Sequence, residues 1–150
     1  MNMPKAQLLN VPQKQNIMLT YNLAASAAAG TFFTFNAYQY GVNTTPNPNI
    51  IIPSNEKWFV MNTFVTSAVT PDFVFGIVIN GNNQPFQIDA NTTIPTNSAA
   101  KSLATAANGY AEALEVPSSA TMNVTGFTLA ANGSSATSYT AWLEVLRVPL

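Results

Sequence analysis

Short apolar segments recur along the chain between clusters of turn-forming residues, and this rhythm constrains the fold more than any other feature of the sequence. Segments of this length bury a face of a strand, and their repetition is the pattern of an all-β domain. Gln15–Tyr21 reads as a first strand, and Thr31–Tyr40, rich in aromatic residues and β-branched Thr, as a stronger second one. The stretch 41–48, with Asn43, Pro46, Asn47 and Pro48, reads as a loop. In Lys57–Thr66, Trp58, Val60 and Phe64 share one parity while Phe59 and Val65 share the other, which predicts a strand covered on both sides.

Pro71 opens the most strand-like run, Phe73–Ile79, and Asn80-Gly81-Asn82-Asn83 supplies the positive-φ residues of a hairpin turn returning through Phe86-Gln87-Ile88. Pro85 cannot donate to a ladder, so the return strand is expected to start late or to lie at an edge. Asn97–Asn108 is the one helix candidate, with Asn97 as its cap and Gly109 as its end. Ala113–Val116, a break at Pro117-Ser118-Ser119, Thr121–Leu129, a turn at Asn132–Ser135 and a long strand over Tyr139–Val148 complete the chain. In the last strand Thr140, Trp142, Glu144, Leu146 and Val148 alternate with Tyr139, Ala141, Leu143, Val145 and Arg147. About eight antiparallel strands predict a β-sandwich, read as a single eight-stranded jelly roll, over 15–150, preceded by an N-terminal arm over 1–14.

Composition then narrows the function. A chain of 150 residues is long enough for one domain with its own core. It has no His and no Cys, which removes the imidazole base of a Ser or Cys nucleophile, any thiolate, and the soft ligands of structural zinc. Only 7% of residues are charged and the net charge is −1, which leaves no basic footprint for nucleic acid. Surface polarity must come from neutral side chains, and Asn, Thr, Ser and Gln account for 51 of the 150 residues. The start Met1-Asn2-Met3-Pro4-Lys5 lacks the pattern of an export signal, and the apolar stretch Leu23–Phe35 is shorter than a membrane span. A soluble protein made in the cytoplasm is therefore expected.

The candidate chemistries are weak beside their plain alternatives. Glu112 and Glu115 have opposite strand parity, and Glu56, Asp72, Asp89 and Glu144 are scattered, so the acids read as solvation rather than as a glycosidase pair. Asp89-Ala90-Asn91-Thr92-Thr93 starts like a calcium loop, but Ile94 stands where the glycine is needed and Ala100 where the distal Glu is needed. The sequons at Asn43, Asn91, Asn123 and Asn132 are what this Asn- and Thr-rich composition yields by chance. Trp58 and Trp142, inside apolar segments, read as core, while Tyr38, Tyr40 and Tyr110 near loops are the better ligand candidates. Lys57 and Arg147 are expected to pair with Glu56 or Glu144. No catalytic residue, metal or cofactor is expected.

Few charges and abundant neutral polar residues describe a surface made to be covered, and an arm carrying Pro4 and Pro12 is suited to extend onto a neighbour. The closing segment Tyr139–Leu150 and the stretch Ile50-Ile51-Ile52-Pro53-Ser54-Asn55-Glu56-Lys57-Trp58 resemble the single jelly-roll structural proteins of icosahedral bacteriophages. That resemblance implies a non-enzymatic virion protein (minor capsid, penton or decoration) that forms a trimer or pentamer and packs against other capsid proteins. The arm has only Lys5 and Lys14 as charges, which favours a lattice or outer position over contact with nucleic acid. A carbohydrate- or receptor-binding sandwich is the alternative.

Overall fold

The computed structural model describes residues 11–38, 46–65, 71–88, 100–102 and 113–150, and all regular elements among them are strands. They are β1 (Gln13–Leu23), β2 (Phe32–Thr34), β3 (Asn36–Tyr38), β4 (Ile50–Ile51), β5 (Glu56–Val65), β6 (Phe73–Ile79), β7 (Asn82–Ile88), β8 (Ala100–Ser102), β9 (Leu114–Val116), β10 (Thr121–Thr128) and β11 (Thr137–Pro149). The first sheet runs β3-β1-β11-β5, with β8 and β9 on the far edge of β5. The second runs β10-β6-β7, with β2 and β4 along the free edge of β10.

The pairings nest. β6 pairs with β7 across the Asn80-Gly81 turn, β5 with β8 and β9, β10 with β2 and β4, and β1 with β11, all antiparallel. The chain is thus folded once upon itself, and the doubled ribbon is rolled so that β11 also pairs with β5 and β10 with β6. That is the connectivity of a jelly roll, and the sandwich expected from the sequence is the one observed. Asn80 and Gly81 have φ of 49° and 79°, the left-handed pair that matches the twist of a two-residue hairpin.

Several local expectations change. Thr31–Tyr40 is not one strand: β2 belongs to the second sheet and β3 to the first, with Phe35 at the corner donating its N–H to Val124 O at 2.9 Å. Phe33, Phe35 and Ala37 are all buried, so the alternation continues through the change of sheet and conceals it. Parity in β5 fails because Met61 is an extra residue opposite the Glu144–Val145 step, and this bulge returns Thr63 and Val65 to the face of Trp58 and Val60. The helix expected over 97–108 is contradicted at Ala100–Ser102, which pairs with Asn62–Phe64; the rest of that span lies outside the described residues. Helix propensity is a weak preference, and pairing there satisfies backbone groups that the edge of β5 presents. β7, by contrast, meets one of the two placements expected of a strand holding Pro85: it lies at a sheet edge, and its pairing is irregular between Asn83 and Gln87. Gln13 and Lys14, expected in the arm, are paired with Arg147 and Leu146, whereas 1–10 lie outside the described residues.

The core is aromatic at one end. Phe33 stacks on Tyr21 with ring centroids 4.3 Å apart and meets Phe35, Phe73 and Tyr139 at 5.1, 5.8 and 5.7 Å. A Cβ on Gly126 would lie 2.2–2.8 Å from three atoms of the Phe33 ring, so the ring requires glycine there. Tyr139 is buried and donates to Pro71 O at 2.6 Å, and burial, reinforced by Asp72, pushes its phenol up to about 12.

Gly126→Ala is expected to cost about 1–3 kcal/mol, because a buried ring must move. Gly76→Ala, whose new methyl would meet only the Thr125 hydroxyl, should cost less; thermal unfolding of the two variants checks the order. A phenol whose value is raised on folding contributes stability below its unfolded value of 10.0 and loses it as pH rises through about 12. Denaturant titrations across that window should show an alkaline loss in the wild type that is diminished in Tyr139→Phe.

Candidate interaction surface

The roll distributes charge unevenly. Lys14 lies on β1, Glu56 and Lys57 on β5, Lys101 on β8, Glu115 on β9, and Glu144 and Arg147 on β11, all in the first sheet. The strands of the second sheet, β2, β4, β6, β7 and β10, contain no charged residue.

The acids of the first sheet are held by separate partners. Glu56 takes two bonds from Arg147, at 2.6 Å from Nη2 and 2.9 Å from Nε, and one from Trp58 Nε1 at 2.7 Å. Arg147 also donates to Gln15 Oε1 at 3.1 Å and lies 5.6 Å from the Trp58 ring centroid. This cluster seals the end of the core where β1 begins and β11 ends. Glu115 pairs with Lys57 at 3.6 Å, and Glu144 accepts from Asn62 Nδ2 at 3.1 Å. Of the pairs expected for Lys57 and Arg147 with Glu56 or Glu144, Arg147–Glu56 forms, whereas Lys57 meets Glu115 because β9 pairs alongside β5. Glu144 instead takes an amide, because the register sets Asn62 opposite it.

Trp58 is buried as expected. Trp142 is not in the core: it is half-buried on the outer side of the first sheet, since the inward row of β11 is Tyr139, Ala141, Leu143 and Val145. Tyr38 is half-exposed on the edge strand β3, opposite Met18. Tyr40, Tyr110, Glu112, and the Asp89–Thr93 turn with its sequon at Asn91 lie outside the described residues, as does Asn43. At the other two sequons the Asn amide is already engaged. Asn123 Nδ2 donates to Pro48 O and to Asn49 Oδ1, both at 2.8 Å, and Asn132 Nδ2 donates to Ala24 O at 2.8 Å.

The second sheet carries what sequence reasoning did not single out. Exposed large apolar side chains among the described residues are Val11, Phe32, Ile51, Phe127, Leu129 and Leu150; four of these six lie on or beside this sheet, and the other two flank the start of β1 and the end of β11. A hollow of about 570 Å³ is lined by Phe32, Val74, Gly76, Thr125, Phe127 and Leu129. The available signal was compositional: none of the apolar runs later assigned to this sheet contains a Lys, Arg, Asp or Glu.

The hydrogen bonds from Arg147 hold the Glu56 carboxyl below the usual carboxylate range, outweighing desolvation, with Trp58 adding to the effect. A carboxyl lowered on folding contributes stability above its unfolded value and loses it as pH falls through the lowered one. Glu56→Gln should therefore lower stability at neutral pH by about 1–3 kcal/mol and flatten the acid limb of the stability profile, as read by denaturant unfolding from pH 7 to 3.

No family model matches this sequence, and no curated protein matches it. Among solved structures, it is similar to a chain in the structure of infectious bursal disease virus Gx strain, at 9% identity and a TM-score of 0.39, over 93% of this chain and 32% of that one. A chain in the structure of the Gt strain of the same virus is similar at 16% identity and a TM-score of 0.38, over 87% of this chain and 33% of that one. The chain thus spans about a third of the length of the solved chains it matches, and similarity of this degree carries no inference about function.

Proposed function

We propose that this protein is a non-enzymatic virion structural protein that oligomerises and packs against other capsid proteins, as a minor capsid, penton or decoration subunit of a bacteriophage-type shell. The observation that carries this reading is the charge-free second sheet with its exposed Phe32, Ile51, Phe127 and Leu129. Contacts between proteins are depleted of charge at their centre, and an uncharged face left in water favours association. A subunit of an assembly keeps such a face covered. The fold alone does not argue this, because jelly rolls serve many roles.

The mechanism is burial of uncharged surface, with the first sheet's Lys57–Glu115 pair and Lys14 left to keep the other side hydrated. The absolute mass of the purified protein, by light scattering after size exclusion, tests it. A discrete trimer or pentamer is expected. A monomer at every concentration, with no affinity for shell proteins, would overturn it.

A further inference from the structure

We propose that the outer face of the second sheet is a two-fold contact between copies of this chain; this rests on the assembly role above and adds the surface, the partner and the symmetry. Register sets the side chains of this face in rows across the strands. Phe32, Phe127 and Val74 form one row, and Thr34, Thr125 and Gly76 the next. The first row is a ridge, with Phe32 61% and Phe127 44% exposed. The second is a trough. Gly76 has no side chain, the Thr125 hydroxyl lies 2.6 Å from where a Cβ at Gly76 would be, and Thr125 is only 4% exposed. The hollow of about 570 Å³ lies against both rows, lined by Phe32, Val74 and Phe127 of the first and by Gly76 and Thr125 of the second, with Leu129 beyond the first.

A ridge beside a parallel trough is self-complementary. A two-fold axis lying in the interface, parallel to the rows and between them, sets the ridge of each copy into the trough of the other. Charge supports the same partner. A two-fold contact confronts a surface with itself, so any charge near the axis meets its own like; the strands of this sheet carry none, and Asp72, just before β6 and bonded through its carbonyl to Leu129 N, stands at the margin of the face.

Area sets the strength of the contact. Four strands about 4.8 Å apart and about seven residues long at 3.3 Å each span roughly 450 Å² in projection. That is below the about 800 Å² per partner of a standard stable complex, so the contact is reversible alone and reinforced by others in an assembly.

Light scattering across a concentration series tests this on the wild type, Phe127→Glu in the ridge, and Thr20→Glu on the first sheet as control. The wild-type mass should rise with concentration above that of its smallest discrete oligomer, Phe127→Glu should remove that rise, and Thr20→Glu should keep it. The chain has no cysteine, so Val74→Cys labelled with pyrene gives a second readout that does not depend on Phe127→Glu folding. Excimer emission is expected, because the axis brings the two labels together. An unchanged mass in folded Phe127→Glu, or no excimer from an associated labelled protein, overturns this inference and leaves the assembly role standing. A wild type of constant mass overturns this inference alone, and one that is monomeric throughout with no affinity for shell proteins overturns both.

Discussion

β1 and β11 pair without interruption from Gln13↔Arg147 to Leu23↔Thr137, although more than a hundred residues separate them along the chain. The rest of the structure depends on this ladder. It places Ile17 and Leu19 beside Leu143 and Ala141 to floor the core, and it sets Gln15 within reach of Arg147, which in turn holds Glu56 at the end of β5. β11 then serves as the template for β5, so the pairing of the chain's two ends fixes the first sheet. Such contacts are costly to form early, since a long loop must close before they repay it, and the fold belongs to the slow, high-contact-order class.

Neutral amides do inside this fold much of what charged groups do elsewhere. Asn80 adopts the left-handed conformation and its Oδ1 accepts the N–H of Thr121 at 2.9 Å, tying the hairpin to the start of β10. Asn132 accepts from Gly133 N and Thr137 Oγ1 while its amide bonds Ala24 O and Ser135 O, which joins the turn before β11 to the one after β1. Asn123 ties β10 to the loop before β4. The abundance of Asn is thus in part a property of loop architecture. It reflects both a surface low in charge and connections that need short side chains able to donate and accept at once.

The two sheets use their glycines and charges toward different ends. Gly126 faces inward and exists to admit the Phe33 ring, whereas Gly76 faces outward and leaves the surface concave. The ion pairs on the first sheet hold strand ends in place and keep that side in water. The strands of the opposite sheet carry no charge, and its outer face is uneven, with Phe32 and Phe127 exposed beside Gly76.

The amino-acid sequence by itself determined the class of fold and most of its strands. Alternation marks β6 and β11, Asn80-Gly81 marks the turn of the innermost hairpin, and 7% charge marks a surface whose polarity comes from neutral side chains. Period-2 patterns report which residues face inward, not which strand lies alongside. They therefore gave no sign that Thr31–Tyr40 divides between two sheets at Phe35, that Met61 bulges, or that Ala100–Ser102 joins an edge. Only the tertiary structure decided the nested order of the roll and left the second sheet without a charged strand residue, because pairing is set by contacts between residues far apart in the chain.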